Sequence, residues 1–364
     1  MIMAGFSPLA LTQALPFLPL AQGDIDYQVE RRSEPNLINR VLAEPSTTVI
    51  LVRHGKVAVP FGQSNIMYHA NVKMRLATLP GLYVAAELKE FPEAVAMYLG
   101  SYGGKRDEHV VAVDISALDG GAANARQESS TVDQAFDESG EDMQEDQPSA
   151  SLLRNAVTRF DWVDLRAFAP HASMREVGQA VTAVCLGGWQ ESQHFCPACG
   201  APTVPALAGW AQRCTSPDDG RILFPRIEPA VIITVVDSQD RLLLQHNKAW
   251  QDPDFYSVSA GFVEAGENLE HACRRETMEE TGIKAGEVKY LGSQPWPYRA
   301  SLMMGFKGRA LSTEIQVDNA ETVKAMWVTR DEFTNGVIEG RIHVPKKATI
   351  ARYMIEEWLG RPLD

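Results

Sequence analysis

The chain has 364 residues, 45% of them hydrophobic, and a formal net charge of −13. This length predicts two or three domains, and the hydrophobic content is enough for each to bury a core. No stretch approaches the roughly 20 apolar residues that a membrane span needs. The early apolar run at residues 15–21 is broken by prolines and follows no basic residue, unlike a secretory signal. We therefore expect a cytoplasmic chain.

Much of the negative charge comes from one segment. Residues 119–151 contain nine acidic residues and a single arginine, Arg126, with almost no large apolar side chains. This composition is typical of disorder, because such a segment cannot bury enough apolar surface to fold. We interpret it as a disordered acidic insertion, and we favour a solvated linker over a regulatory or partner-binding role.

Residues 1–118 predict an N-terminal domain of mixed α/β structure. Strands are predicted where β-branched residues are followed by turn formers, at residues 46–53, 57–60 and 109–115. Residues 90–99 predict a short helix with a proline near its start. After the insertion, residues 152–193 predict a connecting region whose main element is a helix at 174–191.

Residues 194–225 predict a segment that is similar to a zinc ribbon. Cys196 and Cys199 are separated by two residues and followed by a glycine, which is half of a zinc knuckle, and Cys214 lies where the second half should begin. A fourth cysteine is missing. The site would be completed by Asp218, Asp219, His194 or water, or the ribbon would keep its fold through packing alone. In either case we expect a structural role.

The two other cysteines, Cys185 and Cys273, lie in helical patterns and are interpreted as core residues. Disulfides are not expected in a cytosolic chain.

The most informative pattern is at residues 261–283. Gly266 suits a tight turn, and Asn268 suits the N-cap of a helix that follows it. The helix is predicted over residues 269–281, and Gly282 suits the left-handed position at which a helix ends.

Three glutamates share one face of this helix. Glu276, Glu279 and Glu280 stand at i, i+3 and i+4, where their carboxylates repel each other unless cations lie between them. Ligands that offer only oxygen suit Mg²⁺ or Mn²⁺, which also bridge phosphate oxygens. Arg275 can pair with a glutamate and hold it in place. The alternative, a solvated acidic face, does not account for the flanking glycines or the spacing.

The same residues fit the Nudix box, G-x5-E-x7-R-E-U-x-E-E-x-G-U, in which U is a bulky apolar residue. Only Thr277 departs mildly from it. The chain therefore resembles the Nudix pyrophosphohydrolases, which use divalent cations. The matching positions are Gly261, Glu267, Arg275, Glu276, Glu279, Glu280, Gly282 and Ile283.

A second array narrows the resemblance to the NADH pyrophosphatase branch of this family. Residues 293–303 are similar to that branch's S-Q-P-W-P-F-P-x-S array, with Tyr298 in place of Phe and Arg299 in place of the last Pro. Residues 224–232, Phe-Pro-Arg-Ile-Glu-Pro-Ala-Val-Ile, match its entry strand, and the order of domains matches too.

The resemblance implies a fold and a set of site residues. The class is α/β (α+β), with a Nudix α/β/α sandwich over residues 226–364. Glu280 is implied to activate water, directly or through metal, and Glu276, Glu280 and the carbonyl of Ala260 to bind Mg²⁺ or Mn²⁺, with Glu279 and Arg275 beside them. The implied substrate contacts are Phe224, Phe262, Gln294, Trp296, Ser301 and Ala351.

The implied reaction is hydrolysis of the pyrophosphate of NADH or NAD⁺ to AMP and nicotinamide mononucleotide, by an NAD(H) diphosphatase. Removal of NAD caps from RNA and a homodimer are implied as well. Two departures favour an alternative, a degenerate module that binds NAD(H) or nucleotide without efficient turnover: the incomplete set of zinc ligands and a substitution at a metal-binding position. The family's metal-binding Glu is replaced by Lys324, which is expected to face the same site, and Glu321 could reach in from nearby.

Overall fold

The computed structural model describes residues 9–64, 72–103, 107–119 and 151–363. The acidic segment, apart from its two ends, lies outside these residues. The chain divides into two compact units. The continuous unit is Gly23–Pro225, and the discontinuous unit joins Met1–Gln22 to Arg226–Asp364.

The continuous unit is built around a mixed sheet. Its strands have the order β4-β5-β1-β2-β6, with β3 paired to β1, and β1 runs parallel to β5. These strands are β1 (Thr48–Arg53), β2 (Lys56–Pro60), β3 (Thr78–Pro80), β4 (Val95–Tyr102), β5 (Glu108–Asp114) and β6 (Phe160–Asp164). The helices are α1 (Leu37–Leu42), α2 (Gly81–Glu90), α3 (Leu152–Arg159), α4 (Leu165–Phe168) and α5 (Met174–Ser192).

The predicted strands at 46–53, 57–60 and 109–115 and the helix at 174–191 are confirmed. The predicted helix at residues 90–99 is wrong, because α2 ends at Glu90 and the chain continues into β4. Pro92 disfavours helix at the preceding residue. Residues 95–102 instead pair with β5, and the ring of Tyr98 is fully buried there, with its hydroxyl 2.9 Å from Nδ1 of His109.

The ribbon-like segment of the continuous unit contains a small three-stranded sheet. Its strands are β7 (Thr203–Ala206), β8 (Ala211–Cys214) and β9 (Ile222–Leu223), paired antiparallel in that order. Cys214 ends β8, so one of the three ribbon cysteines is fixed by a strand.

The discontinuous unit contains a second mixed sheet, with the order β13-β14-β10-β11-β15 and with β12 paired to β10. Only β10 and β14 run parallel among its named pairs. The strands are β10 (Glu228–Val236), β11 (Leu242–Asn247), β12 (Ser259–Phe262), β13 (Ala285–Trp296), β14 (Ser301–Ala310) and β15 (Thr322–Val328). The helices are α6 (Leu269–Thr281), α7 (Arg330–Ile338) and α8 (Ile350–Leu359).

Successive side chains along a strand point to opposite faces of the sheet, and both faces of this sheet carry buried apolar residues. Leu243 of β11 packs in one core with Ala272 and Cys273 of α6. Its neighbours Leu242 and Leu244 pack in the other core, which includes the α8 residues Met354, Ile355 and Trp358. Helices therefore cover both faces, which confirms the predicted α/β/α sandwich.

The first residues of the described chain belong to this sandwich. Leu18 lies in the core on the α8 side, and the N–H of Leu15 donates to the carbonyl of Leu291 in β13 at 2.7 Å. The sequence placed these residues in the N-terminal domain. Their apolar side chains and backbone donors instead find partners along β13, so they group with the discontinuous unit. Among the described residues, no helix is long and apolar enough to cross a membrane.

Candidate active site and cysteine cluster

Helix α6 begins and ends where its sequence predicts. The Asn268 side chain accepts a hydrogen bond from the N–H of His271 at 2.8 Å, which satisfies an otherwise unpaired donor of the first turn. Gly282 closes the helix with φ of 72°, and Gly266 turns the preceding loop with φ of 87°. These local signals fix the bounds of α6, and the spacing of its glutamates then places them on one face.

Arg275 organises the carboxylates of this helix. Its Nε and Nη2 donate to the two oxygens of Glu267 at 2.9 and 2.8 Å, and Nη1 donates to Glu276 at 2.8 Å and Glu279 at 2.9 Å. Nη2 also donates to the carbonyl of Phe262. Hydrogen bonds from Arg275 hold the pKa of Glu267 at about 2, and the pKa of Arg275 itself is raised. We call these four side chains, with Glu280, the carboxylate cluster.

Glu276 fits against a glycine on strand β12. A Cβ atom placed on Gly261 would lie 2.0 Å from Cδ of Glu276, so a larger residue would overlap the carboxylate. Ala260, whose carbonyl is a predicted metal ligand, is the preceding residue on the same strand. Burial raises the pKa of Glu276, although the hydrogen bond from Arg275 opposes this shift.

Glu280 is the most buried member of the cluster, with 5% of its surface exposed. Within the part of the chain that the structure describes, its Oε2 atom is buried without a hydrogen-bond partner. Burial raises its pKa to about 7, the hydrogen bond from Gln245 opposes this, and the charges of Glu276, Glu321 and Asp318 add to it. A buried, unpaired carboxylate oxygen beside other carboxylates is the arrangement that a divalent cation would satisfy.

Sequence reasoning missed Gln245 as part of this site. Its Oε1 accepts a hydrogen bond from the Ser259 hydroxyl at 2.7 Å, which leaves its amide group to face Glu280. The available signal was a buried polar residue directly after three leucines of β11. Asp318 and Glu321 were also outside the predicted set, although Glu321 was considered as a substitute ligand.

The prediction that Lys324 faces this site is wrong. In the pairing of β11 with β15, Gln245 stands opposite Ala325 and His246 stands opposite Lys324. Opposite residues share a face and neighbours alternate, so Lys324 and Gln245 point to different faces of the sheet. The Nζ atom of Lys324 lies 3.4 Å from the carbonyl oxygen of Pro253.

Gln294, a predicted substrate contact, is fully buried. Its Oε1 accepts from the N–H of Leu20 at 3.2 Å, and its Nε2 donates to the carbonyl of Ala348 at 3.0 Å. The side chain thus joins β13 to the N-terminal segment and to the residues before α8. This geometry favours a positioning role over direct contact with substrate.

The other predicted substrate contacts differ in how exposed their side chains are. Phe262 is 48% exposed at the end of β12, close to the carboxylate cluster through its carbonyl, so its ring is free to meet a ligand. Trp296 pairs in register with Ser301, and its ring meets that of Tyr298 edge-on at 4.8 Å. Ser301 and Ala351 are buried. Phe224, in the continuous unit, is 56% exposed.

The ribbon-like segment brings together three thiols and one carboxylate. One ligand atom from each of Cys196, Cys199, Cys214 and Asp219 lies within 4.8 Å of the others. The sequence left the fourth ligand open, and among the described residues Asp219, rather than Asp218 or His194, joins the three cysteines. We call this group the cysteine cluster. Its donor set suits Zn²⁺.

Cys185 and Cys273 lie outside the cluster. Cys273 is fully buried, as predicted for a core residue, whereas Cys185 is partly buried, and burial raises the pKa of each thiol to about 12.

Two family profiles match the chain. Residues 226–353 match the NUDIX domain, and residues 191–224 match the NADH pyrophosphatase zinc ribbon domain. The ribbon match contains all members of the cysteine cluster, and the NUDIX match contains all members of the carboxylate cluster.

Similar proteins are described as hydrolases. The NAD-capped RNA hydrolase NudC of Mycobacterium bovis is 39% identical over 205 residues, which span 54% of this chain and 64% of that protein. Nudix hydrolase 19, chloroplastic, of Arabidopsis thaliana is 40% identical over 50% of this chain and 41% of its own length. The Homo sapiens NAD-capped RNA hydrolase NUDT12 is 34% identical over 51% and 42%. The chain therefore matches less than two thirds of the length of these curated relatives.

Proposed function

We propose that this chain, which belongs to the Nudix family and carries an NADH pyrophosphatase zinc ribbon before its Nudix domain, is an NAD(H) diphosphatase. The reaction is hydrolysis of the pyrophosphate of NADH or NAD⁺ to AMP and nicotinamide mononucleotide. The observation that carries the proposal is the carboxylate cluster, where a buried oxygen of Glu280 has no partner among the described residues.

The cluster fits Mg²⁺ or Mn²⁺. Glu276, Glu280 and the carbonyl of Ala260 would hold the cation, and Asp318 and Glu321 supply further negative charge nearby. When bound, such a cation neutralises phosphate charge and lowers the pKa of attacking water. Two observations support this assignment. The Oε2 atom of Glu280 has no partner among the described residues, and Gly261 has no side chain that would displace the carboxylate of Glu276.

The protein's own residues then have distinct tasks. Glu280 accepts the proton of the attacking water, because its buried carboxylate keeps an oxygen without a partner among the described residues, beside the position of the cation. Arg275 holds Glu276 in place while also pairing with Glu267 and Glu279. The exposed ring of Phe262 offers a stacking surface for a base, worth ~1–3 kcal/mol per stacked base.

NAD-capped RNA is a second substrate of the same chemistry. Two of the relatives are described as NAD-capped RNA hydrolases, and the pyrophosphate that they would cleave is the one in NAD itself. The three thiols of the cysteine cluster are proposed to hold a structural zinc ion, because their sulfur atoms lie close together.

A homodimer and a cytoplasmic location complete the proposal. Exposed apolar side chains on the ribbon segment, Phe195, Val204 and Phe224, support a protein interface there. The five cysteines form no disulfide, which accords with a reducing compartment. Light scattering after size-exclusion chromatography measures the dimer, and a monomer at micromolar concentration contradicts it.

The test of function is an assay of the full chain with NADH and Mn²⁺, in which AMP and nicotinamide mononucleotide are separated and quantified. We expect both products in equal amounts and none after chelation. Calorimetric binding of NADH without either product would instead support the binding module. Lys324 was one of the two features that favoured that alternative, and its side chain lies on the sheet face away from Gln245.

A further inference from the structure

The ribbon-like segment contains two turns, at residues 196–201 and 214–221, which are closed by equivalent backbone hydrogen bonds. In the first turn, the N–H of Cys196 donates to the carbonyl of Ala201 at 2.8 Å, and Gly200 has φ of 73°. In the second turn, the N–H of Cys214 donates to the carbonyl of Arg221 at 2.9 Å, and Gly220 has φ of 57°. Each turn therefore closes after a left-handed glycine.

This correspondence identifies the fourth ligand position. The residue before the left-handed glycine is Cys199 in the first turn and Asp219 in the second. The second turn is longer by two residues, so a spacing rule based on C-x-x-C does not find Asp219. Its Oδ2 nevertheless lies 3.2 Å from Sγ of Cys196, and Sγ of Cys199 lies 3.4 Å from that of Cys214.

Arg221 orients the carboxylate of Asp219. The Nε atom of Arg221 donates to Oδ1 of Asp219 at 2.6 Å, while Oδ2 faces the thiols. The aspartate side chain is 12% exposed. One oxygen is thus held by a cation from outside the cluster and the other is presented inward, which is how outer partners orient a carboxylate that binds metal.

We propose that Asp219 is the fourth zinc ligand of this ribbon, bound through Oδ2 and oriented by Arg221. The inference rests on the structural zinc of the proposed function and adds the ligand that its sequence leaves open. Three thiolates and one carboxylate carry the same formal charge as four thiolates, so the exchange keeps the electrostatics of the site. One sulfur donor is replaced by oxygen, which shifts the site toward harder cations.

The test compares metal binding by full-length Asp219→Ala and by the matched control Asp218→Ala, which changes the exposed neighbouring carboxylate. Zinc per chain is measured by elemental mass spectrometry, and zinc affinity by competition with a chelating indicator. We expect Asp219→Ala to weaken zinc binding by more than ~100-fold, because it removes a direct ligand, and Arg221→Met to weaken it ~10-fold, because it removes an outer partner. Asp218→Ala should bind as the unchanged chain does.

Two further variants keep the test decisive if Asp219→Ala fails to fold. Asp219→Asn preserves shape while removing the charge, and should also lose affinity. Asp219→Cys should retain zinc, and its Co²⁺ form should show a stronger sulfur-to-cobalt absorption band than the unchanged chain. That spectrum does not depend on hydrolysis of NADH.

The outcomes distinguish a failure of this inference from a failure of the proposed structural zinc site. An unchanged chain without zinc refutes the structural zinc, and the inference fails with it. Zinc binding that is equal in the unchanged chain and in Asp219→Asn overturns the inference alone. An equal loss in Asp218→Ala also overturns it, because the effect would then belong to the turn's overall charge.

Discussion

The carboxylate cluster and the cysteine cluster both gather side chains that can bind cations, yet an arginine occupies a different place in each. In the carboxylate cluster, Arg275 occupies the middle and Glu280 keeps a buried oxygen without a partner in the described chain. In the cysteine cluster, four ligand atoms face each other and the cation, Arg221, stays outside. An open site is suited to an exchanging metal and substrate, and a closed site to a permanent one. Changes at either cluster should therefore leave the other intact.

The largest effect is expected from Glu280→Gln. Removing the charge takes away a metal ligand and the proton acceptor, so turnover of NADH should fall ~10²–10⁴-fold. The unfolding temperature without metal should not fall, since the buried unpaired carboxylate is replaced by a neutral group. Product formation and thermal unfolding measure these effects, with Glu270→Gln on the exposed face of α6 as control. Turnover within a few-fold of the unchanged chain would contradict the assignment, and zinc content should not move.

The next effect is expected from Gly261→Ala. The new methyl would overlap the carboxylate of Glu276 and displace it, and misplacement of a catalytic group by about 1 Å can lower turnover ~10²-fold. Manganese titration of activity measures the change. Gly188→Ala in α5 is the control, because a Cβ there meets no atom within 4 Å. Equal manganese responses of the two variants would show that Glu276 moves aside without consequence.

A smaller effect is expected from Arg275→Lys. Lysine keeps the charge but cannot reproduce the forked contact with Glu267 while also reaching Glu276 and Glu279, so activity should fall ~10-fold. Steady-state kinetics at saturating Mn²⁺ measure it. Arg274→Lys is the control on the adjacent position, where the side chain bonds to the carbonyls of Gly286 and Glu270. A larger loss in the control than in Arg275→Lys would remove Arg275 from its organising role.

The smallest effect is expected from Lys324→Glu. The side chain of Lys324 lies on one face of the sheet and that of Gln245 lies on the other. A carboxylate at position 324 would therefore not reach the cation near Glu280. Metal titrations of NADH hydrolysis for the variant and the unchanged chain should superimpose. A lower manganese requirement in the variant would show that position 324 does communicate with the carboxylate cluster.

Local chemistry made parts of this molecule predictable. The bounds of α6 follow from Asn268 and Gly282, whose side chain and backbone satisfy the helix ends by themselves. Residues 95–99 were misread because an apolar run of that length fits a helix or a buried strand, and pairing with β5 decides between them. No local pattern contains that information.

The placement of three residues depended on distant parts of the chain. The face of Lys324 follows from the register of β15 on β11, including its shift between His246 and Asn247. The side chain of Gln294 is held by hydrogen bonds with the backbones of Leu20 and Ala348, which are far from it in sequence. Asp219 was only one of several options because the second ribbon turn has a different length, and its closure by Gly220 is visible only in three dimensions.

The contact of the N-terminal segment with β13 has a consequence for the order of folding during synthesis. The continuous unit is complete once Pro225 has left the ribosome, and domains generally fold as units as they emerge. The discontinuous unit must wait for α8, although its residues up to Gln22 emerge before the continuous unit does. Leu15 and Leu18 therefore have no β13 to pack against until most of the chain has been made, so this short segment stays without its partners while the continuous unit folds.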